Sequence, residues 1–162
     1  MLPHPQEWVR AWTIPLALES ESPNTTLRKR LAELAACDTS VLVRRYLASA
    51  LQRLPLTDRQ PIATSLLGHA ADASDANIPY LLWYGIEPLA SESAVSGAAL
   101  LQSARIPLVR QCLSQRLALR DDLAPLAGVL DQTSDRGLQA DVVHGMFEAL
   151  NGRRQIAAPP GW

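Results

Sequence analysis

Lysine is almost missing: Lys29 is the only one, and the other basic residues are arginines. Fifteen basic and sixteen acidic side chains leave a formal charge of −1. A nearly neutral chain has no long-range field to gather nucleic acid or an anionic membrane. The arginines are spread along the chain and matched by acids, with no basic run or stripe. Aromatics make up 5% of the residues, with a single phenylalanine. Cysteine is limited to Cys37 and Cys112, which form neither CxxC nor CxxCH. That excludes a zinc knuckle and a c-type haem attachment within these residues. Both cysteines fall on apolar helix faces and are expected to be buried thiols, since free cysteine packs as a small hydrophobe. Of the histidines, His4 is terminal, while His69 and His144 have no partner at metal-ligand spacing. Structural or solvated roles are expected for all three. There is no glycine-rich phosphate loop, nucleophile elbow or HExxH. No apolar run approaches the ~18 residues of a membrane span. Met1-Leu2-Pro3-His4-Pro5 has neither a basic region nor an apolar core, so no signal peptide is expected there.

What is present is helix. At 162 residues and 48% apolar content the chain suits one domain with a real core. Gln6 to about Ser20 reads as a first helix on which Trp8, Ala11, Trp12 and Leu16 share a face, with a kink at Pro15. Asn24 caps a second, with Leu27, Leu31, Leu34 and Ala35 inward. Asp38-Thr39-Ser40 opens a third, in which Val43, Tyr46, Leu47, Ala50, Leu51 and Leu54 make the stripe, and Arg44, Arg45, Gln52 and Arg53 take the wet side. Thr57 and Gln60 have the form of a capping box, and Ile62, Leu66, Ala70 and Ala73 continue the apolar pattern.

The central helix, about Asn77 to Leu89, holds the densest aromatic group. Asp75 or Asn77 caps it, Pro79 suits its first turn, and Pro88 bends or ends it. Ile78, Leu82, Ile86 and Leu89 form one stripe and Tyr80, Tyr84 and Glu87 another, so both faces are expected to be covered. Ser91-Glu92-Ser93, Ile106-Pro107, Asp121-Asp122 and Ser134 start four more helices. The last turns Val143, Met146, Phe147 and Leu150 inward and stops at Gly152.

About nine helices with short turns, recurring in pairs at roughly 30–38 residues, are the pattern of stacked helical hairpins. The expected fold is all-α, a HEAT-like α-solenoid of antiparallel hairpins over residues 1–152, followed by a linker or tail at 153–162. A globular helical bundle is the alternative.

Two aromatic groups invite functional readings. Trp8 and Trp12, four apart, suit either an apolar end cap or domain interface, or a stacking platform for a flipped base. Trp83 and Glu87, also four apart, suit either a structural pairing of Glu87 with an arginine or backbone amide of the next repeat, or a general acid raised by an apolar neighbour.

Three stretches carry a resemblance. Asp75 to Leu89, Asp38 to Pro55, and Met146 to Trp162 (with Ala149-Leu150-Asn151-Gly152-Arg153-Arg154 and Pro160-Gly161-Trp162) are similar to the HEAT-like region of large bacterial membrane-bound dehydrogenase proteins. In that family a sugar-dehydrogenase-like propeller precedes the helical repeats and a c-type cytochrome domain follows them. The resemblance implies a non-catalytic scaffold or interaction module, a piece of a larger redox protein that is exported or periplasmic. It implies flanking domains or another protein as partner, and no nucleic acid. With no CxxCH and no propeller here, it carries no catalytic, cofactor or metal residue onto this chain. Trp8, Trp12, Trp83, Tyr84 and Glu87 are then the expected interaction surface. The alternative function is a helical-repeat nucleic-acid binder or DNA glycosylase-like enzyme.

Overall fold

The computed structural model describes residues 2–19, 24–120, 122–153, 155 and 158. Among them are nine α-helices and no strand: α1 Glu7–Ala17, α2 Thr25–Cys37, α3 Val41–Ala50, α4 Leu56–Leu67, α5 Ile78–Glu92, α6 Ala94–Ser103, α7 Pro107–Ala118, α8 Ala124–Gln132 and α9 Arg136–Leu150. Short 3₁₀ turns, Leu51–Arg53 and Ala70–Ser74, lead out of α3 and α4.

Local chemistry sets most boundaries. Asn24, Ser40, Ser93 and Asp135 accept backbone N–H bonds as N-caps of α2, α3, α6 and α9. Asp75, rather than Asn77, caps α5: its Oδ1 accepts from the N–H of both Asn77 and Ile78 at 2.9 Å. Gly152, at φ 81, follows α9 in the left-handed conformation that suits a residue without Cβ.

Two rows of helices result. α1, α3, α5, α7 and α9 each pack on the next in that order, as do α2, α4, α6 and α8, and neighbours in sequence join the rows. The core lies between the rows, where Leu31, Leu47, Ile62, Leu66, Leu82, Ile86, Leu100, Leu113 and Leu126 are buried. Burying a leucine or isoleucine side chain contributes about 1.5–3 kcal/mol, so this seam holds the rows together.

Several sequence expectations need correction. Arg44 is not on a wet face; it is 5% exposed and its charge is met inside the protein. Thr57 and Gln60 form no capping box, because α4 already begins at Leu56 after Pro55, with no side-chain cap. Ala70 and Ala73 are exposed in a 3₁₀ turn that instead buries Asp72. α5 runs through Pro88 to Glu92, where the sequence put a break, and α6 starts from Ser93. Tyr80 and Tyr84 are exposed, so the second face of α5 is open. Val143 and Phe147 are exposed too, although Met146 is buried. Cys37 is exposed and Cys112 half-buried. α1 continues through Pro15 and ends at Ala17; Ser20 and Asp121 lie outside the described residues, as does most of the 153–162 tail.

Candidate interaction faces

One arginine latch recurs along the odd row. Arg10, Arg44 and Arg110 each stand fourth in their helix, and each donates to a carbonyl six residues earlier. The acceptors are His4 O at 2.9 Å, Asp38 O at 3.0 Å and Ala104 O at 2.7 Å. Gln139, fourth in α9, makes the same bond to Thr133 O at 2.9 Å. The rest of each guanidinium reaches forward to a carboxylate before the next odd helix. Arg10 grips Asp38 through two bonds, at 2.7 and 2.9 Å, and Arg44 grips Asp72 through two at 2.6 Å. Arg110 reaches Asp135 at 3.3 Å and, inside α9 itself, Asp141 at 3.5 Å. Bidentate pairing fixes direction as well as charge, so the Arg10 and Arg44 latches tie α1 to the start of α3 and α3 to the approach to α5 in a set orientation. α5 is the exception: its fourth residue is Leu81.

Burial pushes the Asp38 carboxyl up, but hydrogen bonds from Arg10 and the Ser40 N–H outweigh it and hold it below the ordinary value. The hydrogen bond to Asp72 raises Arg44 above its ordinary value. Asp75 is likewise lowered: burial works against the shift, and the bonds from Arg45 and the Ile78 and Asn77 N–H groups overcome it. At the α5–α7 step, Glu87 Oε1 accepts from Ser91 Oγ at 2.6 Å and lies 2.9 Å from Arg116 Nε. Arg120 also donates to the Ser91 carbonyl. His69 Nε2 lies 2.8 Å from Ala35 O, joining the α4 exit to α2.

The expected interaction residues divide. Trp8 and Trp12 stand together on α1, 57% and 56% exposed, with Leu16 at 60% one turn further on. An open groove of ≈ 290 Å³ runs along Trp8, Val9, Trp12, Thr13 and Leu16. Trp12 also meets Tyr46 of α3, ring centroids 5.7 Å apart and planes tilted 60°, which holds the indole in place without covering it. Tyr84 is exposed on α5 with Tyr80. Trp83 instead packs against the core, half-buried, and Glu87 is engaged with Ser91 and Arg116. The five residues therefore make no single site. The structural pairing of Glu87 with an arginine of a following helix is the one observed.

The sequence put Leu16 on the Trp8–Trp12 face and Tyr46 in the α3 stripe without joining either to the interaction surface; the latches were missed, although they left a signal. Trp8-Val9-Arg10, Leu42-Val43-Arg44 and Leu108-Val109-Arg110 share a Val-Arg pair, the second 34 residues after the first and the third 66 after the second. That is one repeat, then two. Among the described residues, no group of three or more His, Cys, Asp or Glu is placed to hold a metal ion. No described helix is long and apolar enough to cross a membrane. No family model matches the chain, and no curated protein or solved structure matches it.

Proposed function

We propose that the chain is a non-catalytic helical-repeat scaffold, a HEAT-like α-solenoid of antiparallel hairpins, that holds neighbouring domains or another protein in place. The observation that carries the reading is the recurrence of one latch along the odd row, ending in an aromatic edge that no described element covers. Internal repeats stack because each buries its neighbour's apolar face, and terminal repeats normally turn a polar face outward. Trp8, Trp12 and Leu16 break that habit, and exposed apolar groups of this kind mark contacts. Tryptophan is also among the residues enriched at the energetic centres of protein interfaces. Glu87 supports the same reading, because an acid tied to Arg116 and Ser91 is spent on structure.

The similarity of Asp75 to Leu89 to the helical region of dehydrogenase–cytochrome proteins supports a redox parent, with this region as its spacer and residues 153–162 as the way out. The test is to replace Trp8 and Trp12 by Ala in the native protein with its neighbours attached. Helix content should stay unchanged while electron transfer between the neighbours slows. If the helical region can be deleted and its neighbours joined directly with no change in transfer, the scaffold reading fails.

A further inference from the structure

The exposed file on α1 has counterparts on the later odd helices, and there each meets the helix before it. Tyr46 of α3, two residues after Arg44, touches Trp12 of α1, ring centroids 5.7 Å apart. In α5 the close approach is at Gly85, where a Cβ would stand 2.7 Å from Leu51 Cβ in the turn that leaves α3. Arg116 of α7, six after Arg110, lies 2.9 Å from Glu87 of α5. Asp141 and Gly145 of α9, two and six after Gln139, both meet α7. Gln111 Nε2 donates to Asp141 at 2.8 Å, and a Cβ on Gly145 would stand 2.7 Å from Ser114 Cβ. The same count from Arg10 gives Trp12 and Leu16, 56% and 60% exposed, with Trp8 one turn earlier. No described helix covers this file.

We propose that the α1 groove takes an amphipathic α-helix of another protein, lying parallel to α1 and continuing the odd row. The corresponding positions on α3, α5, α7 and α9 all face a helix. Trp8, Trp12 and Leu16 form a straight file about 12 Å long, roughly two helical turns, and rows of residues four apart are what helix-on-helix packing interlocks. α1 has no strand edge for an extended peptide to lengthen. Its only arginine, Arg10, is tied to Asp38 and to the His4 and Pro5 carbonyls, so no free cation of α1 meets a phosphate. Direction follows from the latches. Arg10 meets Asp38 just ahead of α3, and Arg110 meets Asp135 just ahead of α9, so N-terminal ends lie side by side. The latches also separate a foreign helix from a further repeat. Arg10, Arg44 and Arg110 each reach an acid ahead of the next odd helix. Ahead of α1, Leu2 to Gln6 hold no acid, and Glu7 accepts from the Ser40 hydroxyl. A further repeat of the array would leave its latch arginine unmatched there. The grip on the incoming helix is therefore apolar, through two indoles and a leucine.

The proposal deepens the scaffold reading and rests on it. p-Benzoylphenylalanine, itself large and aromatic, replaces Trp8, Trp12 or Leu16 one at a time in the full protein in its native cellular setting. Mass spectrometry then maps the residues labelled on irradiation. Labels from the three positions should fall about four residues apart, in rising order, on one segment of another protein. The unirradiated complex should survive about 1 M salt, where the screening length is about 3 Å. Labels about two apart, as on a strand, labels in a proline-rich stretch or in a second copy of this chain, or loss of the complex at that salt overturn the helix partner alone. Labels in nucleic acid, or none from any position, overturn the scaffold reading with it.

Discussion

Asp72→Ala should be among the most damaging single changes outside the apolar core. Asp72 is 1% exposed and takes both forks of Arg44, whose side chain is 7% exposed. Removing the carboxylate strands a guanidinium with one carbonyl, Asp38 O, as its remaining direct bond. Breaking a buried pair from one side costs about 3–5 kcal/mol, because the uncompensated charge stays buried. For a chain of this size each kcal/mol lowers the melting temperature by about 2–4 °C, so the expected fall is at least about 6 °C. Replacing both partners, Arg44→Met with Asp72→Leu, removes the charge and its desolvation together and should recover most of the loss. Urea unfolding followed by far-UV circular dichroism measures both variants. A loss under about 1 kcal/mol for Asp72→Ala would place the pair with ordinary surface ion pairs and refute the latch as a structural element. A double variant as unstable as the single one would refute the stranded-charge explanation.

Glycine replacements separate contact from propensity. Gly145→Ala should destabilise by about 1–3 kcal/mol, since its Cβ would press on the Gln111 carbonyl and the Gln115 N–H nitrogen, 2.4 and 2.9 Å away. Gly128→Ala, with nothing within 4 Å of the new carbon, should stabilise α8 by about 0.5–1 kcal/mol, and thermal melts rank the two. Acid titration of stability tests the carboxylates. Asp38 and Asp75 are lowered in the folded chain, so their contribution is fully present above the ordinary value of about 3.9 and drains away as pH falls through their folded values. Asp38→Asn should flatten that acid limb, and an unchanged limb would count against the assignment.

Helix content was legible because apolar periodicity survives without any knowledge of partners. Ile78, Leu82, Ile86 and Leu89 declare the buried side of α5 on spacing alone. Which second face is covered depends on where neighbouring helices lie, and spacing is silent on that. Tyr80, Tyr84, Val143 and Phe147 read as core for this reason, yet they face outward. Arg44 misled in the opposite sense: an arginine between apolar residues reads as a solvated flank unless its acceptor, 28 residues away at Asp72, is known. The Trp8–Trp12 pair was visible as an apolar group on one helix face, but its groove and its contact with Tyr46 arise only when α1 lies on α3.

Hydroxyl-radical footprinting of Trp8 and Trp12 tests the central claim most directly, comparing the purified chain with the same protein in its native cellular setting. A docking edge predicts rapid oxidation of both indoles in isolation and strong protection in the native setting, with exposed Val95 of α6 reacting equally in each. Equal labelling of Trp8 and Trp12 in the two settings would mean that nothing docks on α1, and would contradict the account.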